Sequence, residues 1–127
     1  MNRIELTESG NMRMPYLRDE EIWEDLCAVM RFLATALSER KSILDEMGTE
    51  AKGALLALQM SVKSEVEHAS QVIRKRAAGS AFGGVSIRIT KLFSAFQLND
   101  FEKLCIVLAV AASVDPILQE QLKKMEN

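Results

Sequence analysis

Residues 84–125 read GVSIRITKLFSAFQLNDFEKLCIVLAVAASVDPILQEQLKKM, and the fold turns on how this stretch is read. It holds the most apolar run of the chain, Leu104 to Ala112, with punctuation on both sides. Before the run, Asn99-Asp100-Phe101-Glu102 sets a capping residue three positions ahead of a glutamate. At that spacing each side chain can satisfy the other residue's backbone N–H at a helix start. After the run, Asp115-Pro116 sets a cap before a proline, which suits the first position of a further helix. The pattern predicts a central helix near 100–113, buried nearly all round, with a shorter helix on each side. No residue in the stretch has the character of a catalyst.

Working outward, Val85, Ile89, Leu92, Phe93 and Phe96 keep helical spacing over about three turns, and Gln97-Leu98-Asn99 turns the chain. Ile117 or Leu118, Leu122 and Met125 mark a closing amphipathic helix. Upstream, Gly79-Ser80-Ala81-Phe82-Gly83-Gly84 reads as the end of a helix and a flexible loop. The stripe Val62, Val66, Ala69, Val72 or Ile73, and Ala77 belongs to that helix. Thr49-Glu50 can start a helix over Leu55, Leu56, Leu58 and Met60, which Gly53 weakens. A break near Ser61 is the reading taken, one long helix being the alternative. The first helix starts near Asp19, with Asp19, Glu20, Glu21, Glu24 and Asp25 crowded where the helix dipole favours negative charge. Its stripe runs Ile22, Leu26, Val29, Met30, Leu33, Leu37 and on to Met47, with Gly48 as a C-terminal cap and a break around Ser38 to Ser42 left open. Residues 1–16 show no periodicity and read as a flexible tail, although Met12 and Met14 have the character to dock.

The expected architecture is therefore all-α: a single helical domain over 17–127, a compact bundle of about five helices. A chain of 127 residues can bury a core without disulfides or metal. Its 48% hydrophobic and 6% aromatic content point to aliphatic helix packing, and only two prolines with few alternating β-branched runs weigh against an all-β fold. Cys27 and Cys105, the two cysteines, each fall on an apolar helical face and read as small buried hydrophobes in a reducing compartment. The N-terminal residues lack the apolar core of a signal peptide. The nine-residue run Leu104–Ala112 falls short of the roughly 20 residues that span a bilayer. A cytoplasmic protein with no membrane contact is expected.

Charge is segregated. Between Glu67 and Asp100 there is no acid, while Arg74, Lys75, Arg76, Arg88 and Lys91 contribute +5 against a chain total of −2. The plain reading is a solvated face, or ion pairs with the acidic start of the first helix. The functional reading is a docking patch, with these five residues as candidate partner-binding side chains for an acidic protein, RNA or nucleotide phosphates. Residues 86–113 also have the outline of a helix-turn-helix. Its second helix would present Phe101, Leu104, Ile106, Val107 and Leu108, not the Arg, Lys, Asn or Gln that read base edges, and Lys103 is its only basic residue. DNA readout by that helix is not expected. The glycine-rich loop lacks the Gly-Lys-Ser/Thr ending of a phosphate-binding loop. The single histidine, His68, lies on a polar stretch and completes no nucleophile or metal set. No catalytic residue, metal or cofactor is expected.

Ile73 to Arg76, Ser80, Gly84-Val85, Ile87-Arg88-Ile89, Leu92, Phe96, Leu98, Phe101-Glu102, Leu108-Ala109, Asp115-Pro116 and Leu122 together form a recognisable pattern. Over roughly Glu65 to Met125 it resembles the helical N-terminal region of a group of AAA+ ATPases, often encoded beside bacterial contractile, phage-tail-like injection systems. In that group a segment of the type GV-x-LRL-xx-L-xxx-F-x-LS-x-FE-xx-LL-x-LALA-x-ELDP precedes the ATPase core. Asn99 stands here for the usual Ser or Thr cap, a physically equivalent choice, and Ala112-Ser113-Val114-Asp115 replaces a proline-and-acid version. No Walker A or Walker B segment lies within the 127 residues. The resemblance implies a non-catalytic module that docks a partner or positions the motor, as an N-terminal piece or a stand-alone relative. The protein partner or the module's own ATPase core would be the contact, and self-association is left open. The alternative from another class is a free-standing helical adaptor or secretion chaperone. It would bind an amphipathic partner helix and would need an exposed apolar patch, with Leu55 to Met60 the place to look. A nucleic-acid-binding helical protein using the basic stretch is the weaker third reading.

Overall fold

Three carboxylates, Asp19, Glu20 and Glu21, open the first helix, α1 (Asp19–Met47), where unpaired N–H groups favour negative charge. The helix runs 29 residues without a break and ends on Gly48, whose φ of 56° lies in the left-handed region that glycine enters at little cost. Ser38 and Ser42 do not interrupt it, because a serine inside a helix forfeits only about 0.5 kcal/mol. A short 3-10 turn, Gly48–Glu50, leads into α2 (Lys52–Phe82), then α3 (Arg88–Ala95), α4 (Asp100–Val114) and α5 (Pro116–Met125). The computed structural model describes residues 3–7, 15–82 and 88–125. Among them there is no β-strand, and the all-α expectation with five helices holds.

The expected break at Ser61 is absent: α2 is one helix through Gly53 and Ser61. Nor does it stop at Gly79. The last turn is held from outside, where the N-terminal segment crosses it. Ser80 Oγ donates to the Tyr16 carbonyl at 2.6 Å, and a β-carbon at Gly79 would lie 3.5 Å from Pro15. The proposed loop after that turn falls largely on 83–87, outside the described residues, as do Met12 and Met14.

The helix at the centre is α1, not α4. It packs against α2, α4 and α5, and it buries Ile22, Asp25, Cys27, Val29, Met30, Phe32, Ala34 and Ala36. One core cluster gathers Cys27, Val29, Met30 and Ala34 with Ala69 of α2, Val107 and Ala111 of α4 and Leu118 of α5. A second gathers Tyr16, Ile22 and Ile89 at the start of α1. The expectation that the apolar run of α4 is buried nearly all round is corrected. Only Val107 and Ala111 are buried there, because α1 and α5 cover a single side.

Both predicted caps form. Asn99 Oδ1 accepts the Glu102 N–H at 2.8 Å while Glu102 Oε1 accepts the Asn99 N–H at 3.1 Å, the reciprocal pair that fixes the start of α4. Asp115 Oδ1 accepts the N–H groups of Ile117 and Leu118 at 3.0 and 3.3 Å and so caps α5. Its other oxygen takes Arg31 of α1, which fastens the α4–α5 corner to the central helix. Gln121 Nε2 donates to Thr35 Oγ1 at 2.9 Å along the same seam.

The segment before α1 is not a loose tail where it is described. Ile4 and Leu6 pack on the core, Tyr16 is fully buried, and the Ile4 N–H donates to Glu65 of α2. In contrast, the far half of the α1–α2 hairpin buries little. From Leu37 to His68 only Ala51, at the turn, is buried.

Candidate interaction surfaces

The five basic residues singled out from the sequence do not form one patch. Arg76 is 1% exposed and is a core residue. Its Nη1 donates to Asp25 Oδ2 at 3.0 Å and to the backbone carbonyl and hydroxyl of Thr7, both at 2.8 Å. Glu21 lies 3.7 Å from Nη2, and the guanidinium stacks over the Tyr16 ring, 4.1 Å from its centroid. The Tyr16 hydroxyl donates to the same Asp25 oxygen at 2.6 Å, and the Thr7 N–H and hydroxyl donate to the other at 2.7 and 2.9 Å. Asp25, wholly buried, is thus the acceptor for four donors, one of them cationic. Burial, and next the bond to Asp25, push the Tyr16 phenol far above the ordinary tyrosine range. This is a structural clamp joining the N-terminal segment, α1 and α2, and it removes Arg76 from the docking surface.

Arg88 is exposed and leans on Asp19, whose carboxylate takes both its side chain at 3.4 Å and its backbone N–H at 2.9 Å. That bond ties the first turn of α3 to the first turn of α1. An exposed pair of this kind contributes about 0–1 kcal/mol, so its role is placement. The acidic start of α1 therefore takes Arg76 and Arg88 as ion-pair partners, the plain reading of the basic stretch. Arg74 and Lys75 on α2 and Lys91 on α3 remain exposed.

The helix-turn-helix outline becomes α3, a turn and α4. The turn closes with Gln97 at φ 50°, a left-handed conformation in a residue with a side chain, and the Leu98 N–H donates to the Phe93 carbonyl at 3.2 Å. α3 faces the core with Ile89 and Phe93. The outward face of α4 carries Phe101, Leu104 and Leu108, which are 72%, 46% and 42% exposed, together with Cys105. These sit at i, i+3, i+4 and i+7, one stripe of a helix, and Phe96 is exposed just before them. The first turn of α4 carries the carboxylates Asp100 and Glu102, and the lone Lys103 turns toward α3 with its ammonium 5.6 Å from the Phe93 ring. The open face of α4 is thus apolar along its length with carboxylates at its leading end.

Cys105 corrects the reading of both cysteines as buried: only Cys27 is. Burial, then the nearby Asp115 carboxylate, hold the Cys27 thiol above its usual range, so it is the less reactive of the two. His68 is exposed. Among the described residues no group of three His, Cys, Asp or Glu could hold a metal ion, and no helix is long and apolar enough to cross a membrane. Sequence reasoning missed Asp25 as a special residue and missed the open face of α4. The signal for the first was present, since Asp25 interrupts the apolar stripe of Ile22, Leu26 and Val29.

The model of the family described as "Winged helix domain, variant" matches residues 5–127. No curated protein and no solved structure matches the chain.

Proposed function

Because the chain belongs to the winged helix domain, variant family, we propose that it is a protein-docking module whose contact face is α3–α4. A winged-helix-like domain suggests a DNA-binding or protein-interaction role. The observation that favours protein is the outward stripe of Phe101, Leu104 and Leu108 on the second helix of the helix-turn-helix. Leaving such side chains in water forfeits roughly 1.5–3 kcal/mol for each one a partner could bury fully. Base-edge readout by the same helix would need side chains that it does not have.

The partner we propose is the ATPase core of an AAA+ motor of the contractile injection type. The support is the pattern from Ile73 to Leu122, which resembles the region preceding such a core. In this reading the module is non-catalytic and needs no cofactor, and Arg74, Lys75 and Lys91 are the cations of the basic stretch still exposed to a partner. Two unpaired thiols, one of them exposed, suit a reducing compartment such as the cytoplasm.

Cys105 gives the test. A photo-crosslinker attached to this exposed thiol, with the buried Cys27 largely spared, is expected to capture a Walker-motif protein in extracts of the native cell. Phe101→Glu should abolish the capture without lowering the melting temperature. A random DNA duplex that binds the chain below micromolar concentration at 150 mM salt, and loses that affinity in Phe101→Glu, would assign this face to DNA and overturn protein docking on it. Capture of an unrelated protein would overturn the motor assignment alone.

A further inference from the structure

We propose that the far half of the α1–α2 hairpin holds a second docking site, a groove that takes a short amphipathic helix with carboxylates on its flanks. The inference is independent of the α3–α4 reading, with which it shares no residue. The groove has a volume of about 750 Å³ and is lined on one side by Leu33, Ala36, Leu37 and Arg40 of α1. On the other side stand Leu55, Leu58, Val62 and Val66 of α2, with Gln59 and Lys63.

Both walls are helical stripes. Positions 33, 36, 37 and 40 are i, i+3, i+4 and i+7, and positions 55, 58, 59, 62, 63 and 66 continue the same period for a further turn. At 1.5 Å per residue the walls run about 10 Å and 16 Å, the length of two to three helical turns. Two helices presenting adjacent apolar stripes along one seam form two-thirds of a three-helix bundle, and a third helix completes the packing. The burial of the walls agrees: Leu37 is 56% exposed and Leu55, Leu58, Val62 and Val66 are only half-buried, while the same two helices bury their inward residues nearer the body of the domain.

Charge selects the occupant. The only ionisable residues lining the groove are Arg40 and Lys63, one on each wall, and no carboxylate lines it. Glu65, close by in sequence, is engaged elsewhere, with the Ile4 N–H and Arg3. An occupant with Leu-type residues on one face and Glu or Asp on both borders therefore meets opposite charge on each wall. One with Lys or Arg borders meets repulsion. Exposed ion pairs are worth about 0.2–1 kcal/mol each, so the two together favour the acidic occupant by about tenfold.

The test uses the full 127-residue chain and two fluorescein-labelled, capped 16-residue peptides. They share Leu at i, i+3, i+4, i+7 and i+11 and differ only in Glu or Lys on the flanks. Fluorescence anisotropy at 50 mM salt is expected to give about tenfold tighter binding of the Glu peptide. The double variant R40E/K63E, both sites exposed and so compatible with folding, should reverse the order. Leu58→Asp should abolish binding of both, with an unchanged circular dichroism spectrum. Equal binding of the two peptides, no binding of either at millimolar concentration, or an order unmoved by R40E/K63E would each overturn the proposal. Light scattering that shows a dimer dispersed by Leu58→Asp would assign the groove to a second copy of the chain and would overturn it as well.

Discussion

Replacing Asp25 by alanine removes the acceptor on which the clamp converges. The carboxylate is fully buried and takes Thr7, Tyr16 and Arg76 within 3.0 Å, so its loss strands a guanidinium that is itself 1% exposed. Arg76 keeps neutral contacts with Thr7, and the carboxylate of Glu21 at 3.7 Å is too distant to replace the lost ion pair. Breaking one side of a buried ion pair in this way costs about 3–5 kcal/mol, set against a total stability of about 5–15 kcal/mol for a domain. With a urea dependence of about 2 kcal/mol per molar, the unfolding midpoint should fall by about 2 M. Arg76→Met should cost a similar amount, because it leaves the carboxylate buried with only neutral donors. The double variant Asp25→Leu, Arg76→Met removes both charges together and should recover all but about 1–2 kcal/mol. That remainder is the loss to Thr7 and Tyr16 of their shared acceptor. Urea melts followed by far-ultraviolet circular dichroism and by the single tryptophan, Trp23, measure all three variants. A single variant that loses less than 1 kcal/mol, or a double variant that loses the sum of the two singles, would refute the reading of Asp25 and Arg76 as a mutually dependent buried pair.

Tyr16 is the only tyrosine, so absorbance at 295 nm reads it alone. Its folded-state pKa is raised, so the stabilisation it adds is full below the unfolded value near 10 and is lost as the pH rises above that. The phenol is therefore expected to ionise only as the helices melt in alkaline solution, and Tyr16→Phe should flatten the pH dependence of stability above pH 10. Ionisation near pH 10 with circular dichroism unchanged would contradict its burial. Asn99→Ala should cost about 1 kcal/mol through the start of α4. Asp115→Ala should cost more, about 2 kcal/mol, because it removes the α5 cap and strands the half-buried Arg31. Equal losses in thermal melts would mean that the Arg31 contact contributes nothing.

Both helix starts in the C-terminal third could be read from the sequence because capping is local: Asn99 and Glu102, or Asp115 and Pro116, act within one turn. The continuity of α2 could not. Gly53 and Ser61 look like breaks, yet together they cost only about 1–1.5 kcal/mol, too little to end a helix of 31 residues. Asp25 was one of five acids crowded into two turns, and the dipole argument that explains Asp19 to Glu21 fits it equally well. What sets it apart is register. It falls on the buried stripe of α1 just as Arg76 falls on the stripe of Ala69, Val72 and Ser80 in α2. Two opposite charges, each on the inner face of its own helix, are candidates for each other. The apolar run of α4 misled for a different reason. An all-round apolar helix has two sides to cover, and within this domain only one is covered. The groove between α1 and α2 was foreshadowed by the apolar residues from Leu55 to Met60, but its second wall, Leu33 to Arg40, appears only once the helices pair.

The clamp also dictates an order of assembly. Thr7 is held by Asp25 and Arg76, which are 51 residues apart along the chain and meet only when the α1–α2 hairpin has closed. The segment around Thr7 has no seat until then, so it is laid down after the helices it joins, although it precedes both of them in the chain. Unfolding retraces the path in reverse. The amide of Thr7 should exchange with solvent before those of α1 and α2, and a chain cut short before residue 76 should leave the segment around Thr7 open to proteases.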